Sequence, residues 1–327
     1  MRALVAGAGG ALGGHLVKRL VEDGHDVRAV DIKRSSEWFQ AHEDSSIWEV
    51  TDLRDPEAAH AAVGGIDWAF NFACDMGGVG YITEHRADCM SSVLINTNLL
   101  RAARDEVERY FFASSACIYS APKQLSPEDG FRLLKEEDDW PWDPEKGYGE
   151  EKFFSEYMTR YAGEDWGFET RIARFHNVYS PLGTWRGGRE KAPAAIARKV
   201  AEAVHTQSGE ISVWGDGAQT RSFLYIHDLV EGVLRIMGSD YALPLNLGSE
   251  EVVTIDELID ITEECAGLLP RTLHRQYDLD APQGVRGRGS DNALLRKVTG
   301  WEPSVSLRDG MKQLYEWVEE QVRHESS

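Results

Sequence analysis

The sequence predicts an α/β protein, a doubly wound parallel sheet with a smaller, interwoven C-terminal domain. Three observations carry this. Strand and helix signals alternate through the first 175 residues, and a glycine-bearing turn joins the first strand to the first helix. After Phe175 the chain becomes loop-like and arginine-rich, yet no Pro- or Ser-rich linker separates the two textures.

Taken in order, Ala3–Ala6 is a short apolar run that ends in glycines, and Leu12, Leu16, Leu20 and Val21 then recur at helical spacing. Val27–Asp31 reads as a second strand, and a third is expected before Asp52. Further strands are expected at Ile66–Phe72, Tyr110–Ser114 and Thr170–Phe175, with helical stretches between them, an order that favours parallel pairing. Residues 180–190 are loop-like. A helix follows from about Pro193 to His205, then a turn-bearing run from Trp214 to Thr220. Ser222–Met237 reads as a strand running into a helix, Leu243–Leu247 as one more strand. The remainder is a helical tail around the Gly/Arg segment Gly284–Asp291.

Composition narrows the function classes. At 327 residues the chain holds about two domains' worth of core. A 42% apolar and 10% aromatic content can bury that core, which excludes wholesale disorder. No stretch approaches the ~18 uninterrupted apolar residues of a membrane span. The strand beginning at Ala3 leaves no room for a leader, so a cytoplasmic protein is expected. A net charge of −20 repels the phosphate backbone, which argues against nucleic acid as a partner. Any anionic ligand must then be held by local donors. Arginine supplies 25 of the 35 basic residues, a composition equally suited to forked phosphate recognition and to codon bias. The cysteines at 74, 89, 117 and 265 show neither C-x-x-C pairing nor metal-ligand spacing. No disulfide framework and no metal are expected, and at least three of the four read as ordinary buried thiols.

Gly7, Gly10 and Gly13 form G-x-x-G-x-x-G between the first strand and first helix. Gly7 permits a tight turn, Gly10 lets backbone approach a pyrophosphate, and Gly13 allows close helix packing, while the helix N-terminus offers N–H donors. Among 31 glycines such spacing arises by chance, so position carries the argument: the second strand ends at Asp31, 24 residues after Gly7. A carboxylate there accepts both ribose hydroxyls and repels a 2′-phosphate. NAD is expected rather than NADP, with Lys33 and Arg34 close behind as the opposing signal. Asp52, after the third strand, suits the adenine end or, alternatively, a helix cap before Pro56. The first domain is therefore expected to be a Rossmann-type NAD-binding domain of residues 1–175 with about 222–248. The second is expected to take about 176–221 with 249–327.

Tyr148 and Lys152 form Y-x-x-x-K, which places both side chains on one helix face. A neighbouring ammonium favours phenolate and is expected to draw the Tyr148 pKa down from about 10 toward neutrality. Ser114 and Ser115 lie at the C-terminal end of a predicted strand, where such sheets hold ligands.

Through Gly7, Gly10, Gly13, Asp31, Ser115, Tyr148 and Lys152 the chain resembles the extended short-chain dehydrogenase/reductase family. Within it, the strings DMGGVGYI (75–82), SSACIY (114–119), RFHNVY (174–179) and GGREKAPAA (187–195) resemble those of the GDP-mannose 3,5-epimerases. So do WGDGAQTRSF (214–223) and GVRGRGSDN (284–292). The resemblance implies epimerisation of a nucleotide-diphosphate sugar, GDP-mannose, at C3, C5 or both, with NAD tightly bound and regenerated. Tyr148, helped by Ser115, would take the 4-hydroxyl proton as hydride passes to NAD, and Cys117 and Lys191 would remove and return the ring proton. Asn177, Arg221, Arg286 and Arg288 match family positions that hold the diphosphate and sugar. Gly77 and Gly78 would let backbone approach the sugar. Family analogy also implies a homodimer built on helices of the large domain. Arg186, Arg189, Lys191, Arg221, Arg286 and Arg288 are expected mostly to converge on one anionic substrate, and His176 to pack beside the site. Two other functions are compatible with the scaffold. One is a 4-epimerase, which would have no use for the Cys117/Lys191 pair; the other is a non-catalytic NAD-sensing module, which would have no use for Ser115, Tyr148 and Lys152.

Overall fold

The computed structural model describes residues 1–40 and 47–325. The first half alternates as expected: β1 (Arg2–Ala6), α1 (Ala11–Glu22), β2 (Asp26–Asp31), β3 (Trp48–Val50), α2 (Pro56–Val63) and β4 (Trp68–Asn71). Three helices, α3 (Val79–Glu84), α4 (Arg86–Met90) and α5 (Ser92–Ala103), lead to β5 (Arg109–Ser115), then α6 (Tyr148–Trp166) and β6 (Glu169–Phe175). The second half comprises β7 (Val178–Tyr179), α7 (Ala192–Thr206), β8 (Glu210–Trp214), β9 (Thr220–Ser222), β10 (Leu224–Tyr225), α8 (Ile226–Gly238) and β11 (Leu245–Leu247). It ends with β12 (Val252–Thr254), α9 (Ile255–Cys265), β13 (His274–Asp278), β14 (Gly287–Arg288), α10 (Ala293–Thr299) and α11 (Leu307–Glu325).

Seven strands form the main sheet in the order β11-β6-β5-β4-β1-β2-β3, and every pair is parallel. The expected doubly wound sheet is thus present. Alternate strand residues feed opposite cores, as a sheet covered on both faces requires. Val5, Phe70 and Phe111 face α1 and α8 residues such as Leu16 and Leu229, while Leu4, Tyr110 and Phe112 face Ala59, Leu99 and Ala162 of α2, α5 and α6. Chain order reverses between β1 and β4, which opens a crevice at the C-terminal edge of the sheet.

Beyond β6 the chain builds small sheets outside the main one: β12-β9-β14, β13-β8 and β10-β7. The run Trp214–Thr220 turns through Gly215 and Gly217 at φ +80° and +76°. Then β10 and α8 return the chain to the main sheet through β11. No helix among the described residues is long and apolar enough to cross a membrane, and none of their His, Cys, Asp and Glu side chains cluster as metal ligands.

Candidate active site

The crevice is bounded on one side by the glycine turn. Gly7 has φ +82°, and a Cβ there would lie 2.8 Å from the Ala73 backbone. A Cβ on Gly13 would strike the Gly7 carbonyl oxygen, so α1 can pack on the turn only without one. Gly10 caps α1 with no side-chain hydrogen bond, and the first turn carries no acidic residue, so the positive end of this helix is left uncompensated. Asp31, buried at the end of β2, accepts from the Gly9 and Lys33 amides, both at 2.9 Å. Asp52, just past β3, is gripped by Arg54 at 2.7 and 2.9 Å, bonds that hold it below the usual carboxylate range. The α2 cap is Asp55 rather than Asp52, accepting from the Glu57 amide at 2.9 Å. An uncapped helix N-terminus beside a fixed carboxylate fits a pyrophosphate and a ribose.

At the reacting end, Ser115 closes β5 and Tyr148 opens α6. One turn on, the Lys152 ammonium lies 5.7 Å from the Tyr148 ring centroid and 4.9 Å from that of Phe112. Glu151 is 3.7 Å from it, and Cys74, three residues past β4, acts on it electrostatically. Burial disfavours this ammonium, yet Cys74 and Glu151 keep its pKa above the ordinary lysine value. The expected fall in the Tyr148 pKa is absent from the chain alone. Burial, then Cys74, Cys117 and Glu151, push the phenol well above its usual value, and the Ser115 hydroxyl offsets this only in part. Burial is the largest of these effects, so desolvation of the phenolate wins.

Beside this end lies a cavity of about 700 Å³ whose walls include Ser115, Cys117, Tyr148 and Lys191. Cys117 sits in a single helical turn after β5, its amide donating to Ser115 Oγ at 3.2 Å. Arg288 donates to Cys117 Sγ at 3.3 Å, approaches Glu145 at 3.7 Å and donates to Gln124 at 2.6 Å. Burial and then Glu145 raise the thiol pKa; Arg288 and Ser115 lower it. Lys191 caps α7, and burial draws its ammonium below the ordinary value, with Cys117 and Cys74 opposing and Arg288 assisting. Arg221, fixed by the Thr220 and Val285 carbonyls at 2.7 and 2.6 Å, is brought down to about 9 by burial and then by Arg288. Asn177, at φ +23°, donates to the Ser222 carbonyl at 3.1 Å. Gly77, Gly78, Asn177, Arg221 and Arg288 all line the cavity.

Residues 3–248 match the model of the NAD dependent epimerase/dehydratase family. The chain belongs to that family. It is 41% identical over 332 aligned positions to GDP-mannose 3,5-epimerase 1 of Oryza sativa subsp. japonica, covering 100% of this chain and 84% of that one. Identity and coverage are the same for GDP-mannose 3,5-epimerase of Arabidopsis thaliana. Among solved structures, UDP-glucose 4-epimerase of Thermotoga maritima shares the fold, with a TM-score of 0.84 over 98% of this chain and 100% of that one at 21% identity.

In this member of the NAD-dependent epimerase/dehydratase family the six basic residues do not mostly converge. Lys191, Arg221 and Arg288 line the cavity, whereas Arg286 turns out to Asp216 at 3.0 Å, Arg186 pairs with Glu202 at 2.9 Å and Arg189 pairs with Asp75 at 3.1 Å. In so acidic a chain an exposed arginine readily finds a carboxylate before it finds the site. Cys74, one of the cysteines read as bland, raises the Lys152 pKa. Glu145, Gln124 and Gly149 were not anticipated. A Cβ on Gly149 would strike the Cys117 carbonyl oxygen, a constraint hidden inside the Y-x-x-x-K spacing. Glu145, three residues before Tyr148, carried no signal of its own. His176 packs beside the site as expected, buried and held to Asn246 at 3.0 Å, with burial lowering its pKa to about 3.

Proposed function

We propose that the chain epimerises a nucleotide-diphosphate sugar, GDP-mannose, at C5, C3 or both, with NAD regenerated each cycle. The observation that carries this reading is that Cys117 and Lys191 line one cavity with Ser115 and Tyr148. A 4-epimerase would need only the last two. Support for the substrate comes from 41% identity over the whole chain to two GDP-mannose 3,5-epimerases.

Bound NAD would accept the C4 hydride and return it to C4 in the last step, and its oxidised form would add positive charge that favours the phenolate. Tyr148 then takes the 4-hydroxyl proton, with Ser115 holding the oxygen in place. The C4 ketone acidifies the hydrogens on the adjoining carbons. Of Cys117 and Lys191, one removes a proton from a ring face and the other delivers one to the opposite face, which inverts the carbon. Tyr148 finally returns its proton to the C4 oxygen. Gly7, Gly10, Gly13, Asp31 and Asp52 hold the dinucleotide. Arg221 and Arg288 take the diphosphate, and Asn177, Gly77 and Gly78 the sugar. The same reading gives residues 1–175 with about 222–248 to NAD, and 176–221 with 249–327 to the sugar nucleotide.

A homodimer is part of this reading. It is supported by apolar side chains left exposed along α5 and α6, among them Leu94, Phe154 and Tyr161.

Incubation with GDP-mannose in heavy water tests the activity. Deuterium is expected at C3 or C5 with no net absorbance of reduced NAD, and Cys117→Ala is expected to abolish incorporation. Exchange that survives this substitution sinks the assignment. Mass spectrometry of material released by denaturation is expected to show NAD.

A further inference from the structure

We propose that Arg189 is a positioning residue whose clamp against Asp75 and Tyr81 holds Lys191 in place across the cavity from Cys117. The proposal rests on the reading of Lys191 as a proton-transferring group.

Lys191 enters the cavity from a segment that has little reason to be still. Gly187 and Gly188 precede it at φ +92° and +88°, with no atom near where their Cβ would be. Two successive glycines in the left-handed region form a swivel, because their backbone is unhindered there. Something must immobilise the chain between that swivel and α7.

The next residue does so. The Arg189 guanidinium lies 3.8 Å from the Tyr81 ring centroid, donates to Asp75 at 3.1 Å and reaches the Tyr81 hydroxyl. Its partners are fixed in turn: Tyr81 donates to Asp75 at 3.0 Å and stacks on His85 at 4.3 Å, and the Asp75 amide donates to Ser92 Oγ at 2.9 Å. The backbones join as well. The Gly78 amide donates to the Arg189 carbonyl at 2.9 Å, and a Cβ on Gly78 would lie 2.5 Å from the Glu190 carbonyl oxygen. Gly78 is therefore required by the approach of the 189–190 segment, whatever it offers the sugar. Glu190 closes the arrangement by accepting from the Gly188 amide at 2.7 Å and from Arg198 at 3.3 Å.

A substrate-binding role does not suit Arg189, which stands outside the cavity walls with its side chain 48% exposed. Its effect reaches the reaction through Lys191, two residues away. Proton transfer demands hydrogen-bond reach, so a slack segment costs rate more than it costs substrate binding.

The test compares the full-length protein with its Arg189→Ala, Arg189→Lys and Tyr81→Phe variants. Acetylation by an N-hydroxysuccinimide ester, read at each lysine by peptide mass spectrometry with exposed Lys18 as internal reference, reports on Lys191 directly. Labelling of Lys191 is expected to rise about fivefold in Arg189→Ala as the amine gains access to solvent, to rise less in Tyr81→Phe, and to return toward the parent rate in Arg189→Lys. In turnover of GDP-mannose, Arg189→Ala is expected to lower kcat by about 10- to 100-fold with KM within about threefold, and to move the acid limb of the rate profile upward. Lys191 labelling unchanged in Arg189→Ala overturns the proposal, as does a raised KM at constant kcat. Failure of the parent protein to turn over GDP-mannose would overturn the functional reading instead, and the labelling would still decide the clamp.

Discussion

A thiol and an amine that share one exchangeable proton give one pH profile, whichever of them holds it at rest. Thiol with amine and thiolate with ammonium carry the same proton count, so the rate falls in acid when both are protonated and in alkali when neither is. In this site the Lys191 ammonium is drawn down by burial and the Cys117 thiol is pushed up by burial and then by Glu145. In the proposed reaction the acid limb is therefore expected to lean on Lys191 and the alkaline limb on Cys117. Glu145→Gln removes a negative neighbour that opposes thiolate formation, so the alkaline limb is expected to move to lower pH by about half a unit to one unit. Initial rates of deuterium incorporation across pH 6 to 10 would show it, and an unmoved limb would mean that Glu145 does not sense the thiol. Tyr148 and Lys152 were legible because their relation is local, four residues along one helix. The Cys117, Arg288 and Glu145 contact was not, because Arg288 arrives from β14, far along the chain.

At the scale of elements, the site depends on how closely the first turn of α6 can approach the turn that follows β5. Gly149 decides that distance, since a Cβ there would strike the Cys117 carbonyl oxygen. Alanine is the better helix former by up to about 1 kcal/mol, so Gly149→Ala would be mildly stabilising on propensity alone. The clash outweighs this: a net loss of about 1–3 kcal/mol in urea unfolding is expected, the usual range for overpacking. A fall in kcat should accompany it as Tyr148 moves off Ser115. Gly64→Ala serves as the control, because the nearest atom to a Cβ there is 3.6 Å away. The central strands of the main sheet could be read from sequence because both of their faces are buried, which makes them apolar runs, whereas edge strand β3 is three residues long and mostly exposed. The strands β7, β9, β10, β12 and β14 span only two or three residues each. Their pairing is set by the register of distant segments such as Val252 with Ser222, which no local pattern announces. Conversely β8 did carry a signal, alternating buried Ile211 and Val213 with exposed neighbours, and lay just ahead of the glycine turn that masked it.

For the whole molecule the question is what covers the outer faces of α5 and α6. These helices pack side by side, and Lys152 is buried on the inner face of α6. The outer face leaves Phe154 and Tyr161, seven residues apart and thus aligned along the helix, about half exposed at 52% and 50%, with Leu94 of α5 at 51%. A second copy meeting the same face by two-fold symmetry would bury them, and a stable interface of this kind removes about 800 Å² per partner. Light scattering on the eluted protein is expected to give twice the mass of one chain, and Phe154→Glu with Tyr161→Glu is expected to give one. A parent protein that elutes as a monomer would refute the dimer. Charge supplies a second, independent check. Each copy carries −20, so association works against long-range repulsion that salt screens within about 10 Å at 0.1 M. Dimer affinity should therefore strengthen as sodium chloride rises from 20 to 200 mM, the reverse of an interface held by opposite charges. Because α6 presents Tyr148 and Lys152 on one side and Phe154 and Tyr161 on the other, monomeric variants should also lose turnover, with kcat falling as the helix is released from its partner.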